Sequence, residues 1–295
     1  MASIKNNKIF LYSSQLAAFI GRNIHTSPNK IFNKLYETYF GGEMVAMKLD
    51  MDLKGINVSD RNAIEKMATK MDGNKDLKER LDKICQKNDS SIGMKRDVAE
   101  LEKKVMEDKK LDATDKLILK KAIEGYSNKK YGTIKENNAL DVYKSITGND
   151  VVTKIQSRSK KICEYEGKEL WLISKMDAMT TDGIIVEIKN RMYKLFDEMR
   201  EYEWLQVQAY LEVYNLEKGE LVEYLKDNNG EMRIKPIDRD RTFWNEIVLK
   251  EVGFFFRTMI NLVHNDKKIT KYMKLSDTEQ NEFIKKMVRK EAKEN

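Results

Sequence analysis

The residues able to do chemistry are few and close together in the chain: Asp177, then Glu187-Ile188-Lys189, with 187 − 177 = 10. Side chains alternate along an extended strand, so Glu187 and Lys189 share a face. A three-residue hairpin loop Thr181-Asp182-Gly183, with Gly183 in the left-handed conformation, makes paired residue numbers sum to 177 + 187 = 364 and sets Asp177 opposite Glu187. A loop of another type turns Asp177 to the other face. Two adjacent carboxylates repel one another unless a cation joins them. Oxygen-only donors suit Mg²⁺, or Mn²⁺ in its place, better than zinc. A lysine beside such an ion can orient an attacking water or stabilise charge developing on a phosphate. These are the parts needed for phosphodiester hydrolysis. The competing reading is a chance spacing, since 35% of the residues are charged. Against it, Glu187 interrupts the apolar run Ile184, Ile185, Val186 and Ile188, which reads as a central strand.

The elements that must position these residues follow from the patterning around them. GKELWLISKMDAM and GIIVEIKN read as two strands about the turn Thr180-Thr181-Asp182-Gly183, and a helix is predicted over about 193–215. On that helix Met199, Tyr202, Gln206, Ala209, Tyr210 and Val213 fall on one face. Gln206 within this stripe needs polar partners, which a carboxylate–lysine site supplies; a glutamine bonded to backbone at the core edge is the alternative. Gln208, about 200° away, is predicted to face outward. A second hairpin, LVEYLKD and EMRIKPIDRD, surrounds Asn228-Asn229-Gly230. A long helix is predicted from near Thr242 to Val263, and the basic C-terminal tail is predicted to be helical in part.

Upstream, residues 8–21 read as a short apolar stretch and a helix capped by Ser13 or Ser14 and stopped by Gly21, and residues 30–40 as a second helix. From 42 to 130 the chain becomes rich in Met, Lys and Asp, a helical insertion with a start at Asp112–Asp115 and a stop at Gly125. A further helix over 133–146 ends at Gly148. The expected organisation is N-terminal helices (1–41), the insertion (42–130) and a mixed α/β region (131–295).

Composition excludes several classes. With 295 residues, 55 Lys+Arg against 48 Asp+Glu and a net charge of +7, the chain suits a globular protein with a weak bias toward polyanions. Cys85 and Cys163 are too few for a disulfide framework or an iron–sulfur cluster, and His25 and His264 too scattered for a zinc site or a triad. No apolar run approaches the roughly 18–20 residues of a membrane span, and no secretory signal is visible, so an intracellular soluble protein is expected. No phosphate-binding G-x-x-x-x-G-K-[ST] run supports ATP-driven unwinding. The cluster Arg158, Lys160, Lys161 either tracks a DNA backbone or is a solvated charge run.

Taken together, Asp177, Glu187-Ile188-Lys189 and the later LQVQAYLEVYN resemble the core of the PD-(D/E)XK nuclease superfamily, in its lambda-exonuclease-like, viral-recombinase (alkaline exonuclease) branch. Tyr131-Gly132-Thr133-Ile134-Lys135-Glu136-Asn137 is similar to that branch's helix carrying a Gly and then an acidic metal-site residue. Tyr12-Ser13-Ser14-Gln15-Leu16 with Gly21-Arg22-Asn23 is similar to its N-terminal Ser-bearing helix, and Ile237-Asp238-Arg239-Asp240 before Trp244 to the strand end after its glutamine helix. The resemblance covers about residues 8–40 and 130–265. It implies a mixed α/β, restriction-endonuclease-like core: a central mixed sheet flanked by helices. It further implies a metal held by Asp177, Glu187 and the Ile188 carbonyl, with Glu136 as an outer acid for a second metal or its waters, a water positioned or activated by Lys189, and Gln206 organising Lys189 and the phosphate. Ser14 would belong to a pocket for a terminal 5′-phosphate, with Arg22 after it as a further DNA contact; Arg158 and Lys160 are candidate DNA contacts from the basic cluster alone, not from the resemblance. The implied activity is Mg²⁺-dependent 5′→3′ digestion of duplex DNA ends in viral or phage recombination, with a single-strand annealing protein as a candidate partner. Two departures stand out: only Lys5 and Lys8 precede Ser14 where the branch carries an arginine, and the 42–130 insertion would block or replace the branch's ring-shaped trimer. The alternatives are a structure-selective or single-strand endonuclease on the same core, a DNA-binding module without chemistry, and a helical scaffold.

Overall fold

The structure, a computed structural model of the chain, describes residues 7–40, 64, 76–87, 91–191, 193–225 and 231–294. Most of the insertion before residue 76 and the turn at Asn228-Asn229-Gly230 lie outside the described residues. Two sheets share the strand-rich text. The first has the order β1-β4-β3: β1 (Lys8–Tyr12) runs parallel to β4 (Lys168–Ser174), and β3 (Arg158–Tyr165) antiparallel to it. The second joins β2 (Val151–Val152), β5 (Ala178–Thr180), β6 (Ile185–Asn190), β7 (Lys218–Leu225) and β8 (Glu231–Asp238) in the order β2-β5-β6-β7-β8. Only β6–β7 is parallel within it, and its crossover is the helix α6 (Glu201–Tyr214).

The expected single strand over 167–179 is therefore two strands in two sheets. Leu170, Leu172, Ser174, Met176, Ala178 and Thr180 are all buried. The alternation thus continues unbroken through the bend at Lys175–Asp177, and periodicity gives no sign of it. What fixes the bend is polar: the Ser13 hydroxyl lies 2.5 Å from that of Ser174, and the Tyr214 hydroxyl donates to the Ser174 carbonyl at 3.0 Å.

Helix α1 (Ser13–Phe19) follows β1 directly, and α2 is Pro28–Tyr39. Neither Ser13 nor Ser14 caps α1. Tyr12 is the N-cap, and its backbone N–H is taken by Gln15 at 3.2 Å. In the insertion, α3 (Leu77–Lys87) and α4 (Ser91–Met106) pack on the first half of α5 (Ala113–Thr147) through Leu81, Val98, Leu101, Leu119 and Ile123. The stop predicted at Gly125 does not occur, because Ala122 and Ile123 are held in that core and outweigh the glycine's cost of about 1 kcal/mol. The helix ends where Gly148 was expected to end it, with φ +72° and the Gly148 N–H on the Lys144 carbonyl. The second half of α5 covers the five-stranded sheet through Ala139, Leu140 and Tyr143, packed against Ala178, Val186 and Ile188.

The other face of that sheet carries α6, whose Val207, Tyr210 and Leu211 meet Ile185, Leu221 and Ile237. Leu205 and Ala209 of the same helix belong to the core of α1, α2 and the C-terminal helices. Buried on both sides, α6 leaves Gln208 no outward face; its amide donates to the Asp238 carbonyl at 2.8 Å and accepts from the Asp240 N–H at 2.9 Å. The predicted outward Gln208 is thus corrected. Gly219 on β7 lets α6 approach: a Cβ there would lie 2.8 Å from Val207 Cγ1 and 3.5 Å from Ile185 Cβ. Gly219→Ala is expected to lower stability by about 1–3 kcal/mol in denaturant titration; an unchanged midpoint would mean the helix yields freely.

The chain closes with a helical run that begins at Arg241, includes a π turn at Trp244–Val248 and continues as α7 (Leu249–Val263), followed by α8 (Asp266–Met273) and α9 (Asp277–Glu294). The architecture is mixed α/β, with central mixed sheets flanked by helices and an added helical group, and it matches the restriction-endonuclease-like arrangement.

Candidate active site

Gly183 has φ +83°, its N–H bonds the Thr180 carbonyl, and the Thr180 N–H bonds the Ile184 carbonyl. The strands pair as Ala178↔Val186 and Met179↔Ile185, so residue numbers sum to 178 + 186 = 364 as the three-residue loop required. Asp177 comes next, at the bend, opposite Glu187. One of its oxygens, Oδ2, accepts the Ile188 N–H at 2.9 Å, the bond that a continued β5 would have made. A residue's N–H and C=O leave a strand on the same edge, so the Ile188 carbonyl points to this edge too.

Glu187 and Lys189 lie on the α6 side of β6. The Lys189 ammonium donates to Glu187 Oε1 at 2.6 Å and to Gln206 Oε1 at 3.2 Å. The Gln206 amide nitrogen donates to the same Glu187 oxygen at 2.8 Å and to the Tyr210 hydroxyl at 2.5 Å. Gln206 is therefore fixed in orientation, its oxygen toward the lysine and its nitrogen toward the acid. Tyr210, one turn on, is part of the same network; the stripe that contained Gln206 also contained it, but an aromatic there reads as core.

Glu187 is 3% exposed, and its second oxygen, Oε2, has no hydrogen-bond partner. Burial pushes its carboxyl up to about 7, Lys189 opposing and Asp177 adding to the rise. Lys189 shows the converse balance: burial works against the ammonium, but Glu187 and then Asp177 outweigh it and the pKa rises. Glu136, half-buried on α5, has its carboxyl held above the usual range by burial and then by the Asp177 charge, with Lys175 and Lys189 pulling the other way. Five of the predicted residues, Asp177, Glu187, Ile188, Lys189 and Gln206, are thus brought together from the bend before β5, from β6 and from α6, and Glu136 reaches their electrostatic field from α5.

The remaining candidates stand apart. Ser14 is exposed on the first turn of α1, while Ser13 is the buried serine. Arg22 is held by Glu251 through two bonds of 2.6 Å and by Glu201 at 2.5 Å. Lys160, on the edge strand β3, bonds Glu212 at 3.1 Å, and Glu212 also takes Arg239. Arg158 lies exposed with its guanidinium over the Tyr214 ring, 5.3 Å from its centroid.

No protein-family model and no curated protein sequence matches the chain. Among solved structures it is similar to an alkaline exonuclease from Laribacter hongkongensis, LHK-Exo, at 13% identity and TM-score 0.36, over 65% of this chain and 93% of that one. The same enzyme in complex with dAMP aligns at 15% identity and TM-score 0.37, over 66% and 92%. The protein SSO0001 aligns at 18% identity and TM-score 0.36, over 46% of this chain and 63% of its own length, less than two thirds of it.

The segment between β6 and α6, predicted as helix from 193, is instead held open by charge. Arg191 makes two bonds of 2.8 Å to Glu203 and one of 2.6 Å to Glu223. Phe196 takes a guanidinium over its ring from Arg191 (4.6 Å) and from Arg200 (4.3 Å), and its carbonyl accepts from Arg233 and Lys235. These contacts build one wall of a cleft of about 500 Å³ lined by Arg22, Ile24, Phe196, Arg200 and Tyr202. Tyr202 is one turn before Gln206, so the cleft opens beside the site.

Among the described residues, no group of three or more His, Cys, Asp and Glu side chains could hold a metal ion. The donor set for a cation is narrower: the carboxylates of Asp177 and Glu187, with the Ile188 carbonyl on the same edge. It fits a hard divalent ion on one observation of this structure, the buried Glu187 Oε2 that has no partner.

Proposed function

We propose that the chain is a metal-dependent deoxyribonuclease that hydrolyses phosphodiester bonds, a 5′→3′ exonuclease on linear duplex DNA used in viral or phage recombination or replication. The observation that carries the chemistry is the convergence of Lys189 and Gln206 on one oxygen of Glu187, opposite Asp177, while the other buried oxygen of that carboxylate has no partner. Direction and the duplex-end substrate come from the resemblance of the motifs alone.

In this reading Asp177, Glu187 and the Ile188 carbonyl hold Mg²⁺, for which Mn²⁺ substitutes, and Glu136 is an outer acid. Bound there, the ion supplies Lewis-acid stabilisation of charge on the phosphate. Lys189 stays an ammonium beside Glu187 and donates: it orients the attacking water and meets developing negative charge. Gln206, fixed by Tyr210, holds the Lys189 ammonium in place. Ser14 and Arg158 are proposed DNA contacts with exposed polar ends, and Arg22 and Lys160 contacts whose charge is shared with carboxylates. The insertion, with its helices α3 and α4, is the proposed surface for a partner such as a single-strand annealing protein, in the interior of an infected cell.

The test is linear duplex DNA labelled at either end, incubated with Mg²⁺ or with EDTA. Magnesium-dependent release of nucleotides from 5′ ends is expected. Nicking of a closed circle would assign an endonuclease on the same core instead. Tight binding without degradation under Mg²⁺ or Mn²⁺ would discard the hydrolytic reading and leave a DNA-binding module.

A further inference from the structure

We propose that Lys175 is a cation that meets the backbone phosphate of the DNA strand at the rim of the site. The proposal rests on the nuclease reading and names a substrate contact for it. A site with three carboxylates (Asp177, Glu187, Glu136) against one lysine repels a polyanion before an ion binds and is only balanced with Mg²⁺ in it, so the approach needs positive charge that is not already matched. Lys189 is taken by Glu187, Arg191 by Glu203 and Glu223, Arg22 by Glu201 and Glu251, and Lys160 by Glu212.

Lys175 differs in each respect. It is exposed, and among the described residues it has no hydrogen bond or ion pair. It stands two residues before Asp177, on the bend between the two sheets. That bend is rigid: Met176 is 2% exposed, and Ser174 is tied on both sides by Ser13 and Tyr214. Helix α5 packs through Ala139, Leu140 and Tyr143 on Ala178, three residues after Lys175, which sets the bend beside that helix, and Glu136 lies one turn before Leu140 on the same face. The same face of α5 is open one turn earlier, where a Cβ on Gly132 would meet nothing within 4 Å. A strand lying along that opening passes Lys175 before its phosphate reaches Asp177 and Glu187.

The experiment measures duplex binding against salt concentration in EDTA, where no cleavage occurs, for wild type, Lys175→Ala, Lys175→Arg and Lys285→Ala. Lys285 is an exposed control paired with Glu282 on α9. Loss of one phosphate contact lowers the slope of log K against log salt by about 0.9. Lys175→Ala is expected to show that loss, Lys175→Arg to restore the wild-type slope, and Lys285→Ala to keep it. With Mg²⁺, Lys175→Ala is expected to raise KM and leave kcat unchanged. A folded Lys175→Ala with the wild-type slope would overturn the assignment even if wild type cuts DNA. A reduced slope with a wild type that never cuts would keep the contact and remove the nuclease reading. A wild type that does not bind DNA would overturn both.

Discussion

Glu187→Ala is expected to reduce Mg²⁺-dependent phosphodiester hydrolysis about 10³-fold or more, and Lys189→Ala to do the same, with duplex binding in EDTA retained. Loss of metal-borne stabilisation is worth several kcal/mol of barrier, and each 1.36 kcal/mol is tenfold in rate. The two substitutions act on one unit: Glu187 Oε1 accepts both the Lys189 ammonium and the Gln206 amide, so removing either member frees the other. The double variant is therefore expected to be hardly slower than either single one, since residues acting as a unit are not additive. Circular dichroism checks that both variants fold. Wild-type rates in a folded Glu187→Ala would show that this carboxylate is structural and would remove the site from any hydrolytic role.

The largest expected effect on stability lies just past the end of β6, at Arg191. Its guanidinium answers Glu203 and Glu223, whose side chains are 3% and 0% exposed. Arg191→Ala leaves Glu203 buried without its cation and Glu223 with Lys235 and the Phe196 N–H. Breaking a buried pair of this kind costs about 3–5 kcal/mol, a fall in melting temperature on the order of 10 °C. Arg241, bonded to an exposed Glu217 and itself more than half exposed, is the contrast, and its alanine variant is expected within about 0.5 kcal/mol of wild type. Replacing Glu203 by Gln in the Arg191→Ala background is expected to recover part of the loss, because it removes the uncompensated charge. Equal stability for Arg191→Ala and wild type, read by thermal melting, would mean water already reaches these carboxylates.

What the sequence made legible was local. The Asp177–Glu187 register follows from one loop type and Gly183, the end of α5 from Gly148, and the inward Gln206 from a helical stripe. What it hid was set by distant packing. The bend at Lys175 carries no break in alternation, because buried residues continue at every second position through both sheets. Strand β3 reads as a charge cluster because an edge strand exposes one side, and its lysines are matched by Glu164 of the same strand and by Glu169 and Glu212 from other elements. Gln208 and Glu212 are inside because α6 is covered on two sides, which no single periodicity can express. The late start of α6 comes from Phe196, drawn off by four cationic side chains that are far apart in the chain or beyond a turn.

One consequence follows from the unbroken α5. It is a rod of 35 residues, about 50 Å long, with its first half clamped by α3 and α4 and its second half seated on the sheet that bears Glu187. Such a rod transmits torque better than it bends. A twist of about 10° imposed at the far end sweeps a side-chain tip on its roughly 5–6 Å radius through about 1 Å. Glu136 rides on that surface, and in the proposed hydrolysis a misplacement by about 1 Å at the reacting centre changes a rate by about 100-fold. Whatever grips the outlying helices thereby holds the handle of an axle whose working end is among the carboxylates.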